Sequence, residues 1–165
     1  MLLLDGIVLG LVIGALSGGS LSRFGRVKLK GEHLLLPLLV FQLAIPRLCD
    51  ALGLPTRLSL VFWIAVMCAL VVLGLWNRRW LGLSIAALGI ALNIVVIAAN
   101  GAMPVSLDAV ARLDSKVVPR FDLVHEALTD ETRFKGLADI IALPGPAWHR
   151  GVASPGDFLL SAGAG

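Results

Sequence analysis

The sequence predicts an all-α polytopic membrane protein: a transmembrane helix bundle of four spans plus the start of a fifth, with a short extracytoplasmic helical lid. Three observations predict it. Hydrophobic residues make up 58% of the 165 residues and charged residues only 15%, far from the roughly 25% charged share of a soluble domain. Uncharged stretches recur at or near the ~18–20 residues that a helix needs to cross hydrocarbon. The loops between them carry lysine and arginine unevenly, as alternating sides of a membrane demand.

The first span covers 6–22. Its leading "MLLLDG" holds an acid, Asp5, and no basic residue, where a cleaved signal peptide needs a positive start. A retained helix is expected despite the small residues of "GALSGG". Gly6, Gly10, Gly14 and Gly18 recur every fourth residue, which puts them on one face and lets another backbone come close. That seam is expected to pack against this chain, with a second membrane protein or a second copy as the alternative partner.

The second span, 34–54, carries Arg47 and Asp50 three residues apart, just after Pro46. The pair fits the outer end of the helix, as an anchor or a functional site. The third, 58–76, is uniformly apolar. Cys49 and Cys68 fall in these two regions without metal-type spacing and read as small buried residues. The fourth span, 80–107, has its own small stripe, Gly82, Ala86 and Gly89, which continues to Asn93 and, one heptad on, Asn100. An amide in hydrocarbon needs hydrogen-bond partners, so both asparagines are expected to point into protein, as interhelical bonds or as the wall of a polar pocket.

Arg23, Arg26, Lys28 and Lys30 separate the first two spans, and Arg78 and Arg79 the third and fourth, whereas the intervening hairpin has only Arg57. The basic loops belong in the cytoplasm and the N-terminus outside a plasma membrane. Arg112, Lys116, Arg120, Arg133, Lys135 and Arg150, in the segment that follows, run against this rule. The net charge of +3 is loop asymmetry and calls for no nucleic acid; the expected partner is the lipid bilayer.

From "NGAMPVSLD" the character changes. Asn100-Gly101 ends a helix, Pro104 blocks its continuation, and Ser106 offers an N-cap to "LDAVARL" with Asp108 in its first turn. The boundaries expected are 1–105 for the bundle, 106–153 for the lid and 154–165 for the last helix. The lid is too short for its own core. Phe121, Val124 and Leu128, then Phe134, Leu137, Ile140 and Ile141, predict two short amphipathic helices joined at "TDET". Pro144, Gly145 and Pro146 predict a turn, and Trp148 suits the headgroup boundary. "SPGD" predicts a capped helix start, with Ser154 as N-cap, Pro155 at N1 and Asp157 reaching back from N3. The following "FLLSAGAG" supplies only about 12 Å of helix at ~1.5 Å per residue, the beginning of a span.

"NGAMPV", "LADIIALPGP" and "SPGD", behind four spans, resemble a family of small bacterial polytopic membrane proteins of unknown function. The resemblance covers the outer half of the chain, implies an intact fifth span and supplies no activity. The chain also resembles lipoprotein signal peptidase in the order of a polar outer span end, a loop aspartate and an aspartate opening the last span. That likeness implies a catalytic dyad of Asp139 and Asp157, in which one carboxyl activates water and the other protonates the scissile group. The G-N-x-x-D-R and N-x-A-D contexts of that family are missing, and this chain has one more N-terminal span.

His33, His125 and His149 all lie outside the spans, so a haem held between helices has no ligands, and none has a second histidine at metal-ligand spacing. Phosphate-loop, nucleophile-elbow and dinucleotide fingerprints are missing. No metal and no cofactor is expected. The sequence favours a non-catalytic accessory or assembly subunit of a membrane complex. The competing reading is an aspartyl hydrolase, or a lipid or small-molecule binding protein, with its site under the lid at Asn93, Asn100, His125, Asp139 and Asp157.

Overall fold

The computed structural model describes residues 2–20, 27–113, 124–146 and 149–165. In chain order the elements are α1 (Leu2–Leu16), α2 (Glu32–Ala51), α3 (Thr56–Trp76), α4 (Leu81–Asn100), β1 (Met103–Val105), α5 (Leu107–Leu113), β2 (His125–Ala127), a 3-10 turn (Lys135–Leu137), β3 (Ile141–Leu143), β4 (Gly151–Ala153) and α6 (Pro155–Ala164). Three helical stretches of 20 residues, within α2, α3 and α4, are long and apolar enough to cross a membrane, each ~30 Å at ~1.5 Å per residue. The first helix, α1, is apolar but 15 residues long. Leu36, Leu43, Val72 and Leu81 stand exposed on the outer surface, where hydrocarbon is the fitting solvent.

Neighbours in the bundle run α2, α3, α4, α6, α1, so the last helix in sequence lies between the fourth and the first. Small residues on two of its faces make this possible. A side chain at Gly82 or Gly89 would collide with the backbone at Gly163 or Gly156, and one at Gly6 or Gly10 with Ser161 or Gly165. These pairings make α6 antiparallel to α4 and parallel to α1. With backbones this close, dispersion contacts accumulate without bulky side chains. The Ser161 hydroxyl adds a bond to the Leu2 carbonyl, 2.6 Å. Among the described residues, nothing lies within 4 Å of where a Cβ would stand at Gly14 or Gly18.

Two buried clusters hold the other side. Ile45, Cys49 and Val66 pack with Leu38, Leu54 and Trp63 between α2 and α3. Val96, Ile97 and Met103 pack with Trp63, Ile64 and Leu137 beneath the outer segment, so Trp63 joins the two. The second helix runs through both Pro37 and Pro46. Arg47 and Asp50 are exposed near its end, and Cys68 is exposed where a buried residue was expected.

The fourth span stops at Asn100, seven residues before its expected end, because Gly101 takes a left-handed φ of 92° and closes the helix. The outer segment then departs from the helical lid that the sequence predicts. The capped helix at Ser106 is present, with the Ala109 amide on the Ser106 hydroxyl at 3.2 Å. The two amphipathic helices are not formed among the described residues. Instead β1 pairs in parallel with β2, Met103 opposite His125, and β3 pairs antiparallel with β4, Ile141 opposite Ala153. Phe134 has a φ of 56°, a left-handed conformation that no helix starting there can continue through. Pro144, Gly145 and Pro146 then turn the chain back, with the His149 and Arg150 amides on the Pro146 carbonyl at 2.8 and 2.9 Å. Apolar spacing over so short a window fits strand and helix alike, and the turn residues decided for strand. Phe121 and Trp148 lie outside the described residues.

Candidate functional site at the polar end of the bundle

The site begins where β4 runs into α6. Ser154 is the N-cap: its hydroxyl accepts the Asp157 amide at 3.0 Å, and the Asp157 carboxylate accepts the Ser154 amide at 3.0 Å. Pro155 follows at the first helical position, so "SPGD" forms the reciprocal cap its residues imply. A third side chain enters from α4. Asn93 donates to the second Asp157 oxygen at 2.8 Å and accepts from the Ser154 hydroxyl at 3.0 Å. It reaches so far because α6 carries Gly156 opposite; a Cβ there would collide with the Asn93 amide oxygen.

Asp139 arrives from the other side, and backbone pairing puts it there. Its amide donates to the Pro104 carbonyl at 2.9 Å and its carbonyl accepts the Ser106 amide at 2.8 Å, so Asp139 adds to the edge of β1. The β3–β4 ladder starts two residues later, with Ile141 opposite Ala153. Asp139 therefore lies between the edge of β1 and the start of that ladder, within electrostatic reach of Asp157 on α6 and of His125 on β2.

Asp139 is only 7% exposed, and among the described residues its Oδ1 is a buried side-chain oxygen without a hydrogen-bond partner. Burial, reinforced by the negative charge of Asp157 and opposed by His125, raises its pKa from 3.8 to about 7. The two carboxyls thus have different surroundings. Both Asp157 oxygens take N–H donors, whereas Asp139 lies in a desolvated position with an oxygen left over. A buried polar atom without a partner is uncommon in native folds and points to a functional position more often than a paired one does.

The remaining expected site residues serve differently. The Asn100 amide donates to the Val96 and Arg133 carbonyls at 2.9 and 3.0 Å and accepts the Arg133 amide at 2.8 Å. The two bonds to Arg133 tie the segment after α4 to the end of that helix, and the bond to Val96 lies within it. Gly6, Gly10, Gly82 and Gly89 lie at the helix contacts described above. Sequence reasoning treated Ser154 as a cap alone and missed its link to Asn93. It also missed His149, whose Nε2 meets the Asp5 carboxylate at 2.8 Å and fastens the outer segment to α1. No sequence signal links residues 144 positions apart. Among the described residues no three His, Cys, Asp or Glu side chains gather as metal ligands.

An apolar bundle with three membrane-length helices and a polar, hydrogen-bonded end defines the class, a helical membrane protein. The chain belongs to DUF5317, a family of unknown function, whose model matches residues 26–165. No curated protein and no solved structure matches it.

Proposed function

We propose that the protein works through the Asp139 and Asp157 carboxyls at the outer face of the plasma membrane, as a hydrolase of membrane-anchored peptides. The observation that carries this reading is the buried, unpartnered Asp139 oxygen beside a second carboxylate. A buried carboxyl whose pKa is raised to about 7 can give up a proton near neutrality. In the reaction, Asp157 takes a proton from water as the water oxygen bonds to the scissile carbonyl carbon. Asp139 gives its proton to the carbonyl oxygen, producing a tetrahedral gem-diol. Collapse of that species returns a proton to Asp139 and breaks the C–N bond as Asp157 passes its proton to the leaving nitrogen. Asn93 and the Ser154 amide hold Asp157 in place.

The test is cleavage of quenched fluorescent peptides, lipid-anchored and free, by the full chain in liposomes. Wild type should cleave anchored peptides, and Asp139→Asn or Asp157→Asn should each lower the rate by roughly 10²–10⁴-fold, the usual contribution of a positioned acid or base. A folded wild-type chain that cleaves none of them refutes the reading. A second reading, a non-catalytic assembly subunit, is favoured by the complete engagement of Asp157 in its cap. A reproducible complex with another membrane protein, seen by native mass spectrometry of the chain from its own membrane, would support that reading instead.

A further inference from the structure

The opposite end of the bundle carries a different chemistry. Lys28 and Lys30 precede α2, Arg78 and Arg79 follow α3, and all four are exposed. One buried residue joins the two segments. Asn77, 2% exposed, accepts the Lys30 amide at 2.7 Å and donates to the Lys30 and Leu73 carbonyls, both at 2.9 Å. Arg79 adds a bond from Nη2 to the Lys28 carbonyl at 2.9 Å, and its guanidinium lies 5.6 Å from the centre of the Trp80 ring. Gly31 makes the join tight: its φ is 71°, and the space where a Cβ would stand holds the Leu73 side chain. The backbones of two segments remote in sequence are therefore joined, which gathers their four cations at one end of the bundle. Among the described residues the one acid at this end is Glu32, whose carboxylate accepts the Leu29 amide at 3.2 Å.

Directly beneath these cations an apolar groove of about 300 Å³ opens between α2 and α3, lined by Leu34, Leu38, Ala69, Val72, Leu73 and Trp76. It starts at Leu34 and Trp76, beside Lys30 and Asn77, and continues a helical turn into the span. Trp76 and Trp80 are exposed at the level where indole rings favour the headgroup boundary. A cationic rim continuous with an apolar slot matches one kind of molecule.

We infer that the basic end of the bundle binds an anionic phospholipid, its phosphate on Lys28, Lys30, Arg78 and Arg79 and one acyl chain in the α2–α3 groove. Charge complementarity selects the anion, because basic pockets between helices on the positive side recruit acidic headgroups. The groove selects a lipid over a soluble phosphate, because only a lipid fills both halves of the site. Among the described residues, the Arg79 N–H groups left over from the Lys28 contact have no other hydrogen-bond partner and can take phosphate oxygens.

The test uses the full chain in mild detergent, titrated with phosphatidylglycerol or phosphatidylcholine of identical acyl chains and read by native mass spectrometry. Phosphatidylglycerol should bind at least ~10-fold more tightly, and the preference should shrink as salt rises. Lys30→Gln with Arg78→Gln removes two charges whose side chains bond to no described residue; it should weaken binding roughly 30-fold, at about fivefold per charge near an anionic surface. Ala69→Phe, which fills the groove and leaves the cations, should weaken both lipids. Equal binding of the two lipids by wild type overturns the inference without any variant. So does complete competition by glycerol phosphate, which would make the ligand a soluble anion.

Discussion

Replacing Asp139 by Asn isolates the cost of burying one carboxyl. In the folded chain this group holds its proton up to about pH 7, against 3.8 ordinarily. Between those values the folded state binds more protons than the unfolded one, so stability falls as pH rises across the window and levels off above it. At ~1.36 kcal/mol per pKa unit, the shift corresponds to at most about 4 kcal/mol of stability lost between pH 4 and pH 8. Asn keeps the shape and cannot ionise. Thermal unfolding in mild detergent at half-unit steps from pH 4 to pH 8 should show wild type losing stability as pH rises. The Asp139→Asn curve should be flatter and should cross above wild type near neutrality. Parallel curves would refute the reasoning, because they would mean that Asp139 is hydrated or paired in the folded chain.

Two further outcomes follow from the same geometry. Ser154→Ala removes a cap worth ~1 kcal/mol and leaves the Asn93 amide oxygen without its donor, a further ~1–3 kcal/mol, so a loss of roughly 2–4 kcal/mol is expected in the same unfolding assay. Gly163→Val forces a side chain into the Gly82 and Ala86 backbone, and should destabilise by ~1–3 kcal/mol or more. A cysteine pair placed across α4 and α6 should then crosslink less readily, and unchanged crosslinking would contradict the packing.

The membrane-spanning part was legible because one physical variable, apolar length, decides it: α2, α3 and α4 follow from hydropathy, and the end of α4 from Asn100-Gly101. The cap at Ser154 was equally legible, since its donors and acceptors lie within four residues. The outer segment was not. Its strands are three residues long, and their pairing depends on partners 8 to 22 positions away, where no local period gives warning. The approach of Asp139 to Asp157 was suggested by resemblance alone; what places Asp139 is its pairing with the edge of β1. Asn77 was hidden for the opposite reason. An asparagine just past an apolar helix looks like an ordinary loop residue, and only the fold shows it buried against Lys30.

The place of α6 between α4 and α1 also sets a timetable. A ribosome delivers α1 and α4 before α6, so the glycine faces of both are made before the neighbour they share. Its arrival closes the bundle and, through Asp157 at its head, brings the second carboxyl to the first. A chain interrupted before α6 therefore carries Asp139 without its counterpart, and the carboxyl pair forms only once α6 is in place.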